Sequence, residues 1–435
     1  MARQLIAIDC RAIFLHFLAV VAAHRLTGLN TAPDCSPMKA LNMHSFSKVM
    51  ALAGLLLALQ LSAVAATALQ PVRDDEVLEV LPAVNRNRPA QATAAAAAGA
   101  TTSDPAAAVG QAREDISVAR QTGDTRYWGR AQAALAPWWD RPDAPVDLAV
   151  LQATVQQGRH EFAASRAVLT AALARRPGHA QGWLNLAALE RLSARYAEAL
   201  AACDAVARAG QSFYAGACRL ETQSLQGQHP VAVKGLQALI NQAADAGQRS
   251  WLLSLLAESH ERAGNDAAAA DAYARSLAAE QDLYTAIAFS DLLLRTGKTS
   301  QALRTLAPLP ETDAVVLRRA AAWKRLGDAR WTAEREVLKA RMEELQRRGE
   351  DPTLHGRELA LAALWLDDDA TRALQLARRN LQLQREPLDW WVALQSARLA
   401  KDGVALAEIA SAIDAAGLRD VRLVSANVPA LKASK

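Results

Sequence analysis

A small residue returns at a near-fixed distance through most of this 435-residue chain. Ser165 and Ala199 stand 34 apart, Ala373 and Ala407 repeat that interval, and Ala232, Ala269 and Ala302 follow Gly227, Gly264 and Gly297 in the same way. A period of this length arises when one supersecondary unit is copied and stacked. Between the markers the chain is a succession of amphipathic stretches of roughly 12 to 15 residues joined by short turns. Alanine and leucine dominate, arginine outnumbers lysine, and runs of β-branched or aromatic residues are nearly absent, so the repeated unit is helical.

The best-developed copy is Gln181 to Ala205, QGWLNLAALERLSARYAEALAACDA. It carries Trp183, Leu186 and Ala187 before a turn and Tyr196, Ala199 and Leu200 after it. Small residues at Ala187 and Ala199 let two helices approach closely, and larger apolar residues interlock around that contact. Counting back 34 from Tyr196 and Ala199 gives Phe162 and Ser165, and 12 on from Ser165 is Pro177, a helix-ending residue. Ala257 and Tyr273 accompany Ala269, Trp391 falls on the position of Trp183, and a degenerate copy from Asp104 to Trp139 centres on Ala131. Between Gly327 and Gly349, WTAEREVLKARMEELQRRG reads as a helix lengthened by about two turns.

This phased series resembles the tetratricopeptide repeat (TPR) family, and within it bacterial exported TPR proteins. The resemblance covers residues 104–420, leaving 421–435 as a C-terminal tail. It implies an all-α fold, an α-solenoid of about eight antiparallel helix pairs, and a protein-binding role for its curved inner face.

The N-terminal portion reads as an address. Lys39, His44 and Lys48 precede the apolar run Val49 to Val64, and Ala63-Val64-Ala65 supplies the small residues that signal peptidase needs. Residues 1–65 are therefore expected to be a mis-called start, with Met38 or Met43 the true one, plus a secretory signal peptide cleaved after Ala65. The upstream run Leu5 to Ala23 is interrupted by Asp9, Arg11 and His16 and lacks the charge-free length of a bilayer span. Residues 66–103 hold Arg73 to Pro82, a candidate docking segment, and an Ala/Thr/Asn/Arg-rich stretch that buries too little to offset its ordering entropy and reads as a flexible linker. The expected location is periplasmic, soluble after cleavage, with membrane contact only during export.

Cleavage removes five basic and two acidic residues, leaving 44 against 43, so the net charge of +4 falls to +1. A near-neutral chain without a basic stripe argues against a nucleic-acid partner. Two cysteines remain, Cys203 and Cys218. In an oxidising compartment an even pair invites a disulfide, and the other reading is two reduced cysteines packed as small apolar side chains.

No catalytic constellation is evident. Five histidines remain, His160, His179, His229, His260 and His355, each alone, without HExxH, CxxC, a glycine-rich phosphate loop or a GxSxG turn. Asp367-Asp368-Asp369 lacks the glycine and distal glutamate of a calcium loop and reads as a helix cap. The chain is thus expected to be no enzyme, with neither cofactor nor metal.

The resemblance implies that positions 2, 5, 9 and 12 of each first helix face the groove. Position 2 is Tyr214, Trp251 and Tyr284 in three successive repeats, and position 9 is Glu221, Glu258 and Asp291, both series spaced 37 and then 33. Aromatics beside carboxylates suit a peptide or helix carrying basic and apolar side chains. The alternative is that the rings pack on the preceding repeat while the acids pair with Arg219, Arg262 or Arg295. Most tryptophans fall on inter-helix core positions, with Trp365, at position 12, the exception that can face the groove. The expected function is a periplasmic scaffold holding a protein or peptide partner; the alternative is an accessory or regulatory subunit of an envelope enzyme or export complex, docked through Arg73 to Pro82.

Overall fold

Each helix pair is closed by the same local device, a residue in the left-handed region at the turn. In chain order these are Gly123, His160, Ala194, Gly227, Gly264, Gly297, Gly327, Asp368 and Lys401, with φ between 53° and 89°. Such a residue reverses the chain and lets the next N–H reach back to a carbonyl five residues earlier, as Arg195 does to Glu190, Asn265 to His260 and Lys298 to Leu293, each at 2.8 Å. Glycine takes this conformation freely, whereas alanine and lysine take it at a cost of about 1–2 kcal/mol. Replacing exposed Lys401 by glycine is therefore expected to stabilise the protein by up to about 1 kcal/mol, after the extra entropy of glycine in the unfolded chain is set against the relief. The urea-unfolding midpoint measures it.

The structure, a computed structural model, describes residues 104–347 and 352–424. The signal-like segment, its cleavage position, the candidate docking segment and the linker lie outside the described residues. No strand occurs among the described residues.

The pairs are α1 (Pro105–Thr122) with α2 (Arg126–Leu135), α3 (Val146–Gly158) with α4 (Phe162–Arg175), α5 (Ala180–Leu192) with α6 (Tyr196–Arg208), and α7 (Ser212–Leu225) with α8 (His229–Ile240). Next come α9 (Ala246–Arg262) with α10 (Asp266–Ala279), α11 (Leu283–Arg295) with α12 (Thr299–Leu306), and α13 (Asp313–Arg325) with α14 (Arg330–Arg347). Finally α15 (Gly356–Trp365) pairs with α16 (Ala370–Leu383) and α17 (Pro387–Leu399) with α18 (Gly403–Ala416), before the short α19 (Val421–Val424). The described residues thus hold nine pairs, one more than the spacing of the recurring alanines suggests. Successive helices pack on one another throughout, giving the all-α solenoid of antiparallel pairs that the phasing implies.

The small residue sits five positions after the left-handed one. Ser165, Ala199, Ala232, Ala269, Ala302 and Ala373 are all fully buried there. The last pair corrects the expectation for Ala407. Its turn residue, Lys401, follows Asp368 by only 33, so a 34-residue count overshoots by one. Ala407 is exposed, and Ala405 and Ile409 make the contact instead. The same slip corrects the tryptophan register: Trp390, 3% exposed, is the counterpart of Trp183. Both indole N–H groups donate to a carbonyl of the preceding loop, Trp183 to Pro177 at 2.7 Å and Trp390 to Arg385 at 3.1 Å.

Helix α14 is 18 residues long, against 8 to 14 in the other second helices. That is about one turn beyond the longest of them, less than the two turns expected. Leu338 alone is buried along it, and with Trp331 it joins the core shared with α15 to α18, while the rest of the helix covers the stack from outside.

Cys203 on α6 and Cys218 on α7 are bonded, with Cα atoms 5.6 Å apart and a sequence separation of 15. The bridge staples one pair to the next, and closing a loop of this size contributes about 3 kcal/mol in the chain-entropy model. Reduction by a thiol is expected to lower the urea midpoint by a corresponding amount, with no effect on a variant in which both cysteines are serine.

The stack winds until late pairs meet early ones. Arg385 N–H donates to the carbonyl of Leu192 at 2.7 Å, and Arg419 N–H, 34 residues on, donates to Leu225 at 2.8 Å. These carbonyls belong to the C-terminal turns of α5 and α7, which a helix leaves unsatisfied. The ring of His160 lies 6.2 Å from that of His355 along the same seam. Tyr196 and Leu225 consequently share one hydrophobic core with α15 to α19.

Candidate functional site

The winding encloses a cavity of about 1030 Å³ lined almost wholly by first helices. Its walls include Ala188 and Arg191 of α5, Glu221 of α7, Glu258 and Glu261 of α9, Tyr284, Ile287 and Asp291 of α11, and Trp365 and Trp391 of α15 and α17. Counted back from the left-handed turn residue, these occupy a few recurring places on each first helix, because only one stripe of a helix can face the axis of a stack.

The expected aromatic column enters the cavity at one point only. Tyr284 lines it, whereas Tyr214 and Trp251 are 7% and 5% exposed and belong to the core between α5 and α13. Their rings lie 6.0 Å apart, and the Tyr214 hydroxyl accepts from Gln248 Nε2 at 3.0 Å. Position 2 lies near the helix start, where a ring reaches the neighbouring pair before it reaches the axis.

The carboxylate column does line the cavity, but neutralised. Arg191 pairs with Glu221 at 3.2 Å, Arg262 approaches Glu258 at 3.7 Å, and Arg318 grips Asp291 through two contacts of 2.8 Å. Of the arginines considered from sequence, Arg262 alone meets its acid; Arg219 goes to Asp204, and Arg295 to Glu261 and Asp266. Asp367-Asp368-Asp369 is consumed likewise: Asp369 caps α16 through Arg372 N–H at 2.9 Å, Asp368 pairs with Lys324 and Asp367 with Arg335.

A second column escaped the sequence reading. Arg262, Arg295 and Arg325 each stand two residues before their turn glycines, Gly264, Gly297 and Gly327. Each reaches back to one place on the preceding first helix. Arg262 Nε donates to the Ser224 hydroxyl at 3.0 Å, and Arg295 to the Glu261 carboxylate at 3.1 Å. The third finds a leucine there, so Arg325 takes the main-chain oxygen of Leu294 at 2.6 Å. The spacings of 33 and 30 are visible in the sequence, but arginines are common enough that the phase shows only once the turns are placed.

Burial holds the imidazoles of His160, His179, His229 and His260 below their ordinary value. An imidazole so depressed binds fewer protons folded than unfolded, so its contribution is present above the unfolded value near 6.5 and is lost as pH falls through it. The melting temperature is expected to drop between pH 7.5 and 5.5. His160→Asn, which keeps a residue at ease with positive φ, should flatten that drop; an unchanged slope would remove His160 from the account.

Among the described residues no cluster of His, Cys, Asp and Glu could hold a metal ion, and no helix is long and apolar enough to cross a membrane. No family model matches the chain, and no curated protein does. Solved structures do. A tetratricopeptide repeat protein from Parabacteroides merdae is 13% identical with a TM-score of 0.35, over 59% of this chain and 99% of that one. The TPR domain of P58(IPK) is 14% identical with a TM-score of 0.21, over 69% of this chain and 99% of that one. At such scores the superpositions decide nothing about function, and the fold rests on the turns and helix pairs described above.

Proposed function

We propose that the chain is an exported scaffold, acting in the periplasm, that holds a protein partner against the inner face of its helical winding. The observation that carries this is the inner face itself: the first helices converge on one large cavity bearing Tyr284, Trp365 and Trp391 among paired charges. Aromatic anchors among polar groups contribute contact area at low entropic cost, as in protein recognition sites. The pairing of the cavity acids makes charge reversal a poor probe of this face. Lysine at Glu221, Glu258 or Asp291 would face an arginine already in place and would unfold the wall before it reported on a partner.

A photo-cross-linking residue at Tyr284, inside, and at Val404, 71% exposed on α18, separates the faces without breaking an ion pair. In intact cells the inner position is expected to capture a discrete partner and the outer one none, with both variant proteins in the periplasmic fraction. Equal capture from both positions, or a chain retained in the cytoplasm, would refute the reading.

A further inference from the structure

We propose that the cavity is also a binding site for a small amphiphile: an apolar body carrying a single carboxylate, its head on Arg325 and its body against Trp365, Trp391 and Leu388. The proposal goes beyond the protein-partner reading and does not depend on it.

The head is assigned by a break in the arginine column. Where Arg262 and Arg295 meet a hydroxyl and a carboxylate on the preceding helix, Arg325 meets leucine, and among the described residues no carboxylate lies within ion-pair distance of it. Asp291, the nearest acid to influence it, is committed to Arg318. Burial pulls the Arg325 guanidinium down to about 10, as expected of a cation shielded from water without a full counter-charge. A carboxylate from outside would supply what the fold does not.

The surroundings repeat that demand. The Arg325 guanidinium stands over the ring of Trp365 at 5.9 Å, and the rings of Trp365 and Trp391 lie 6.4 Å apart. Trp365 is 8% exposed, yet its indole N–H, that of Trp391 and the amide N–H of Gln395, one turn beyond Trp391, find no acceptor among the described residues. Buried donors normally have partners, so several unmet donors beside an unpaired guanidinium call for an acceptor-rich, anionic group. Of the cavity acids near Trp365, Glu358 lies two turns away on the same helix and Asp368 is paired with Lys324, so neither is matched to Arg325.

The body follows from the rest of the wall. Ile287, Leu294, Ala321, Leu388 and Leu399 present an apolar surface, and the volume matches the upper range of small-molecule sites, roughly 300–1,000 Å³.

The test is titration of the purified chain with dodecanoate, followed by tryptophan fluorescence and calorimetry. Dodecanol supplies the body without the charge, and acetate the charge without the body. Saturable binding of one dodecanoate is expected, with dodecanol and acetate each weaker by at least about tenfold. Arg325→Gln should lose about tenfold in affinity while folding normally, because no carboxylate is left without its partner. Trp391→Phe, which removes only an indole N–H and a ring edge, should weaken binding several-fold and covers the case in which the arginine variant misfolds. Absence of saturable binding, equal binding of dodecanol, or wild-type affinity in a folded Arg325→Gln would overturn the proposal. So would full affinity in Trp391→Phe.

Discussion

Asp389→Ala is expected to destabilise the protein by about 3–5 kcal/mol, the range seen when one partner of a buried ion pair is removed. The Asp389 side chain has no exposed surface and accepts from Arg357 Nε at 2.7 Å, Arg357 Nη2 at 2.8 Å and Asn380 Nδ2 at 2.7 Å. It also accepts from Glu386 N–H at 2.8 Å, closing a capping box at the start of α17. Alanine would leave the guanidinium with Glu386 alone and strand a buried amide and a helix-end N–H. Burial pushes the Asp389 carboxyl above the usual carboxylate range, with Arg357 opposing, so the pair is held together against desolvation and cannot be traded for water. Urea unfolding followed by circular dichroism gives the loss. The double variant Arg357→Met with Asp389→Leu should recover most of it, since removing both charges leaves neither uncompensated. A loss below about 1 kcal/mol for Asp389→Ala would show that the network is solvated and peripheral.

The repeat unit was legible in the sequence because its determinants are local. Ala199, Ala232, Ala269 and Ala302 must be small wherever two helices cross, and Gly227, Gly264 and Gly297 stand where the backbone turns left-handed, so both leave a spacing that can be counted. Where the turn residue is His160, Asp368 or Lys401, no composition marks it, and the count slipped at Ala407 and Trp391 for that reason. Cys203 and Cys218 were legible as a pair, because adjacent helices across a short turn bring their Cα atoms within bonding range.

The site was legible only as a stripe. Position 9 faces the axis, and Glu221, Glu258 and Asp291 line the cavity wall. Their partners Arg191 and Arg318 lie on neighbouring first helices, 30 and 27 residues away, beyond the reach of any pattern within one repeat. The pitch of the winding was not legible at all. It is fixed by contacts such as Arg385 N–H on Leu192 O, which join backbone atoms nearly two hundred residues apart and need no particular side chain.

That seam makes residues 418–424 structural, and removing residues 418–435 is expected to lower stability by at least about 4 kcal/mol. Leu418 and Leu423 are 1% and 6% exposed, and truncation of a buried leucine to alanine alone costs about 2–5 kcal/mol. The segment also supplies Arg419 N–H to the end of α7 and Arg422 to Glu261 at 3.1 Å, while Asp420 holds Arg422 in place at 2.5 Å. It lies so close to the early turns that a Cβ on Gly264 would come within 3.0 Å of Val421. Losing it would return the α7 carbonyl, Glu261 and the rim of the core around Leu225 to water. Scanning calorimetry on the truncated chain should show the midpoint falling by roughly 10 °C, and Leu423→Ala by a fraction of that. Because α1 to α18 keep their own pair contacts, helix content by circular dichroism should stay nearly constant below the new midpoint. An unchanged midpoint would mean that the last residues merely rest on the stack and that the winding is held closed by the α15 to α17 seam alone.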